Sequence, residues 1–200
     1  MAQNLINCQV NDALHHMSQA EYGSHFMIIY PDLDTLRELY SNHIHKQIEE
    51  SNESVLINPF YETTDSVRQV LSRKYNDDEI SKHEQEKSLI IADALERYFG
   101  EQNMDDKSFK INLVNHAKKI GKNGLSMLGD MGAYHHKSMS ENLVDYELSL
   151  PRKYEDGIAL KGFCLYHQKD FDRFSDEQKQ KLVEHHGKAI RLTETQVKYL

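Results

Sequence analysis

Twelve histidines occur in this 200-residue chain, and six of them form adjacent pairs at 15/16, 135/136 and 185/186. Imidazole is a common metal ligand and titrates nearest neutrality. Two histidines on one helix can share an ion when they lie four residues apart, because that spacing puts both on one face. No two histidines here have that spacing. His43 and His45 fall about 200° apart around a helix, and adjacent histidines on a strand face opposite ways. The spacing predicts packed or solvated histidines, with no metal centre and no cofactor.

Two further residue types bear on chemistry. Cys164 lies in the apolar run ALKGFCLY, with Tyr166 on the same face by two-residue alternation. A nucleophilic thiolate needs a neighbouring base or a helix N-terminus. His167 projects to the other face, so Cys164 reads as packing or ligand lining. Glu147 keeps helical phase with Leu143 and Leu150, and a carboxylate on an apolar stripe needs a partner. His25 opens the first apolar run. A helix antiparallel to the strands brings its C-terminal end to that same side, so His25 and Glu147 are expected to meet as a structural or sensing polar pair. The carboxylate is expected to raise the imidazole pKa by charge attraction.

The elements that position these residues follow from periodicity. Short β-rich runs (HFMIIY at 25–30, SVLIN at 54–58, SLIIA at 88–92, GLSML at 124–128, 158–166 and 189–192) alternate with amphipathic stretches. Leu33, Leu36, Tyr40, Ile44 and Ile48 step by three or four residues. Thr64 or Asp65 is placed as the cap of the next helix, and residues 76–86 read as a solvated loop or frayed helix. Gly121 stands where a left-handed helix end belongs. Ser138-x-x-Glu141 and Ser175-x-x-Gln178 read as capping boxes. Alternating strands and helices predict an α/β fold, a three-layer sandwich around a mainly parallel sheet. Residues 1–24 are expected to be an arm or extra helix, 25–193 the domain, and 194–200 a tail.

In such sheets, ligands bind beyond the carboxyl ends of the strands. The loops there carry Tyr30, Phe60, Tyr61, Tyr134 and Tyr166, which with Cys164 and Asp93 are the expected lining for a small, partly apolar ligand. A phosphate cradle needs glycines after the first strand. That position reads Tyr30-Pro31-Asp32-Leu33-Asp34, which has no glycine, no lysine and two carboxylates. Asp93, ending LIIAD, stands where a magnesium-holding carboxylate of a nucleotide-binding sheet would lie.

With 24 basic against 32 acidic residues, the net charge of −8 disfavours a nucleic-acid backbone as partner. Apolar runs are too short to span a bilayer. The start MAQNLINCQVNDALHH lacks the pattern of a signal peptide, and two distant cysteines make no disulfide framework. A cytoplasmic setting is expected.

The ordered series His25-Phe26-x-x-x-Tyr30, Leu143-Val144-Asp145-Tyr146-Glu147 and Phe163-Cys164-Leu165-Tyr166, followed by Phe171 and a histidine-ended helix, resembles the MEDS sensory domain of methanogen and methylotroph regulators. It extends over about residues 24–192. The resemblance implies a RecA-like fold of the circadian-clock type lacking the Walker A site, with Glu53 and Asp93 in matching places, and sensing of small molecules. Met27 stands where the family commonly has cysteine, Cys164-Leu165-Tyr166-His167 replaces Cys-Gln-Tyr-Asp, and His186-Gly187 replaces His-Pro. The glycine usual before the second strand is missing. The expected function is a stand-alone sensory domain without catalysis, partnered by a small molecule or a signalling protein, with homo-oligomerisation left open. The alternatives are a nucleotide hydrolase with a degenerate phosphate site, using Asp93 on magnesium and Glu62 or Glu147 on water, and an oligomerising scaffold.

Overall fold

The structure is a computed structural model that describes residues 5–100, 106–154 and 157–193. Its centre is a seven-stranded sheet of β1 (Leu5–Cys8), β2 (His25–Tyr30), β3 (Ser54–Asn58), β4 (Leu89–Ile91), β5 (Leu125–Asp130), β6 (Leu160–His167) and β7 (Lys188–Leu192), in the order β1-β7-β2-β6-β5-β3-β4. Every pairing of these strands is parallel. The runs HFMIIY and SVLIN are buried at every position, as a sheet covered on both faces requires.

Alternation divides the strands between two cores. Phe26, Ile28, Tyr30, Phe163 and Leu165 face one core. That core is completed by α1 (Val10–Ser18), α2 (Leu33–His45), α3 (Thr64–Leu71) and α4 (Asp77–Gln85). Met27, Ile29, Cys164 and Tyr166 face the other, with Leu56, Met127 and Leu160 further along it. The helices on that side are α5 (Ala94–Phe99), α6 (Asp106–Lys119), α7 (Gly132–His136), α8 (Ser140–Ser149), α9 (Gln168–Phe171) and α10 (Asp176–His185). The three-layer α/β sandwich predicted from periodicity is the observed architecture.

The helix ends show where side chains take over from the backbone. Asp32 caps α2 by accepting from the Thr35 N–H at 2.8 Å. Thr63, one residue before the expected cap, starts α3. Residues 77–85 form a full helix, not a solvated loop, because Asn76 and Glu79 make a reciprocal capping box. The Ser138–Glu141 box is not formed. Ser138 has φ +56 and the cap position falls on Met139, so no side chain caps α8. Ser175 and Gln178 do form theirs, and Gly121 takes φ +82 just after α6.

Residues 5–18 supply the expected extra helix and also an edge strand, β1, paired to β7. A π-helical turn, Lys46–Glu50, extends α2. Among the described residues, no helix is long and apolar enough to cross a membrane.

Candidate functional site

Four elements converge on one buried point. His25 is the first residue of β2, aligned with Gly162 of β6. Cys164, two residues further along β6, shares the face of His25 by alternation. Glu147 lies in the last turn of α8, directed inward with Leu143 and Val144. His186 is the C-terminal cap residue of α10. The turn after it is tied to β2 because the Gly187 N–H donates to the His25 carbonyl at 2.9 Å.

The cluster is tight. His25 Nε2 stands 3.2 Å from Cys164 Sγ and 3.6 Å from Glu147 Oε2. Cys164 Sγ is 3.6 Å from the same oxygen, and His186 Nε2 is 3.4 Å from it. The two imidazoles and the carboxylate have at most 1% exposure. Each imidazole is also held from behind. Nδ1 of His25 meets the Pro151 carbonyl at 3.2 Å, and Nδ1 of His186 meets the Leu182 carbonyl at 2.7 Å. A carbonyl can only accept, so both Nδ1 atoms carry hydrogen.

Burial pushes the Glu147 carboxyl upward, but the adjoining His186 and His25 imidazoles outweigh it and hold the group below the usual carboxylate range. The expectation for His25 is overturned. Burial, reinforced by His186, pushes its pKa down to about 3, and the attraction of Glu147 does not compensate. His25 is a neutral imidazole at pH 7.

A groove and a smaller cleft lie beside this cluster. A groove of about 390 Å³ lies between α6 and the segment following α8, lined among the described residues by Lys107, Ile111, Pro151 and Ile158. Behind it a cleft of about 30 Å³ reaches Met127, Gly129 and Cys164. Lys110, Leu150 and Tyr154 border both spaces. Tyr154 stands between the groove and His25, with ring centroids 5.6 Å apart.

The residues expected at the carboxyl rim are divided by the fold. Tyr30, fully buried, donates its hydroxyl to Asp130 Oδ2 at 3.0 Å. Tyr61 donates to Asp170, and Phe60 packs on Tyr61 and His136. The enclosed space beside Tyr61 and Asp130 is about 10 Å³, the size of a single water. Tyr134 stacks on Tyr146. Tyr166 lies against Phe171 and feels the charge of Glu147. Asp93 caps α5 through the Glu96 N–H at 2.9 Å. Glu62 accepts from Arg37 and Tyr40, and Glu53 accepts from Lys161.

Sequence reasoning missed His186 and Asp130. His186 stood in a histidine pair and at the family's His-Pro position, but neither signal placed it beside His25 and Glu147. Asp130 carried no signal beyond its place at a strand end, although burial pushes its carboxyl up to about 7.

None of the curated proteins compared matches the chain. The family model described as "MEDS: MEthanogen/methylotroph, DcmR Sensory domain" matches residues 24–187. That span takes in His25, Glu147, Cys164 and His186 and the strands and helices that carry them. The chain therefore belongs to the MEDS family of sensory domains.

Proposed function

We propose that this sensory domain detects a small, partly apolar molecule that enters the groove between α6 and the segment after α8. The observation that carries the reading is a groove of about 390 Å³ whose border residues Lys110, Leu150 and Tyr154 also line the small cleft at Cys164. Small-molecule sites are typically concave, mainly apolar and about 300–1,000 Å³ in volume. Ile111, Pro151 and Ile158 supply an apolar wall, and Lys110 and Tyr154 supply polar groups at the inner end. The matching chemistry is a short apolar body with one hydrogen-bond-accepting group. Membership of a sensory family supports signalling over turnover.

A nucleotide hydrolase fits the geometry less well. The helix N-terminus after β2, where a phosphate would sit, is already capped by the Asp32 carboxylate. Asp93 is likewise engaged as a helix cap, and Glu62 is held by Arg37 and Tyr40.

The test is methyl NMR of Met127 and Met131, which border the inner cleft. Titration with short-chain alcohols and short-chain carboxylic acids is expected to shift these signals saturably. Ile158→Trp, which fills the groove, is expected to abolish the response. Methyl signals that stay still with the whole panel, or a melting temperature raised by magnesium and ATP, would remove this reading in favour of another binding mode.

A further inference from the structure

We propose that His25, Glu147, Cys164 and His186 form a tetrahedral site for a single divalent transition-metal ion of the zinc class. Each residue offers one ligand atom, and the four atoms all lie within 4.8 Å of one another.

The hydrogen inventory of the cluster points to a cation. Both imidazoles use Nδ1–H on backbone carbonyls, of Pro151 and Leu182. With Nδ1 so engaged, Nε2 is the ring atom that each imidazole turns toward the centre of the cluster. The carboxylate of Glu147 contributes acceptors only, and the hydrogens nearest it are those of the Cys164 thiol and the Tyr166 hydroxyl. Glu147 Oε1 is buried without a hydrogen bond and His186 Nε2 meets Glu147 Oε2 only at 3.4 Å, a state that low-dielectric surroundings penalise. A cation at the centre satisfies all four at once.

The distances agree with this. Zinc bonds of about 2.0–2.1 Å to nitrogen and 2.3 Å to sulfur place tetrahedral ligands about 3.3–3.7 Å apart. Four of the six separations are 3.2, 3.4, 3.6 and 3.6 Å, and the other two are within 4.8 Å. The outer contacts agree as well, because a ligating histidine ordinarily donates its other N–H to a carbonyl or carboxylate. A donor set of two imidazoles, one thiolate and one carboxylate suits zinc and cobalt and is unsuited to magnesium or calcium. Four protein ligands close the coordination shell, so the ion would hold β2, β6, α8 and the end of α10 in register. On binding, the thiol proton leaves to solvent and the sulfur lone pair joins the metal; no electron is transferred.

The proposal does not depend on the groove holding an organic ligand, and its test uses none. The full chain, stripped with chelator, is titrated with Co²⁺ while absorption and proton release are followed. The expected outcome is one cobalt per chain, intense visible bands of tetrahedral geometry, a thiolate-to-cobalt charge-transfer band, and release of about one proton from the thiol near neutral pH. Cys164→Ser is expected to lose the charge-transfer band. His186→Gln is expected to weaken binding about tenfold or more, and His43→Gln, at a buried histidine elsewhere, to leave cobalt binding unchanged. Should a ligand variant fail to fold, the wild-type spectrum and proton count decide alone. A folded wild-type chain that takes up no cobalt, or that gives only weak octahedral bands without the thiolate band, overturns the proposal.

Discussion

Tyr30 and Asp130 end two strands that are not neighbours, and the Tyr30 hydroxyl donates to Asp130 Oδ2 at 3.0 Å across the end of β6 between them. The Gly132 N–H donates to the other carboxylate oxygen at 2.9 Å. These bonds and the Phe60 N–H favour the charged form, yet burial prevails, with Asp170 adding repulsion, and the carboxyl rises to about 7. An acid whose folded pKa exceeds its unfolded value is stabilising while protonated and loses that contribution as pH rises. From about pH 4 to 7 the loss attributable to Asp130 should reach a few kcal/mol, at about 1.4 kcal/mol per unit. Asp130→Asn removes it. Urea unfolding at pH 5 and pH 8 should show the variant gaining on the wild type with rising pH. Parallel curves would show that Asp130 is ionised across the range.

His43 acts in the opposite direction. It is buried on α2, bonded to Ser126 Oγ at 2.8 Å and edge-on to Phe163. Burial, with Lys161 and Lys46 adding repulsion, pushes its pKa down to about 3. A base with a depressed folded pKa stabilises above its unfolded value, near 6.5, and loses that contribution as pH falls toward 3. His43→Gln should therefore flatten the acid side of the stability profile between pH 6 and 4. An unchanged slope there would place the acid sensitivity elsewhere.

Lys161 and Glu53 form a buried ion pair at 2.7 Å. The Tyr22 hydroxyl also lies against the Glu53 carboxylate. Breaking such a pair by removing one member typically costs about 3–5 kcal/mol, because a charge is left stranded. Lys161→Met should lose that much, and adding Glu53→Met should recover most of it. A double-mutant cycle measures the coupling, and additive losses would show that the pair contributes nothing beyond its two side chains.

The parallel sheet was legible because its strands are short runs apolar on both faces, such as HFMIIY and SVLIN. Helix α4 was not, because it buries only Ile80 and is otherwise polar. Its signal was the cap, Asn76 with Glu79 three residues on, and Asn76→Ala should lower stability by about 1 kcal/mol. The chemistry was half legible. Glu147 betrayed itself as a carboxylate on an apolar stripe, and the direction of the helix brought it to His25. His186 escaped because metal-ligand spacing rules describe ligands on one element. Here each of the four side chains comes from a different element, and only the folded topology brings them together.

Gly162 offers a last test of how the cluster is shielded. A Cβ built there would lie 2.7 Å from the Tyr154 hydroxyl oxygen and 2.9 Å from a ring carbon, closer than packed atoms allow. The backbone on both sides is fixed, since the Tyr154 N–H donates to the Gly23 carbonyl and the Gly162 N–H to the Ser24 carbonyl, each at 2.9 Å. The tyrosine ring must therefore give way. Gly162→Ala should destabilise the fold by about 1–3 kcal/mol through overpacking. It should also tilt Tyr154 away from His25 and open the cleft that ends at Cys164. Alkylation of Cys164 by iodoacetamide should then accelerate relative to Cys8, which is buried elsewhere in the other core. Adding Tyr154→Phe removes the nearest contact but leaves the ring carbons, so it should recover only part of the lost stability. Unchanged Cys164 reactivity in a destabilised Gly162→Ala chain would show that Tyr154 does not guard the cluster.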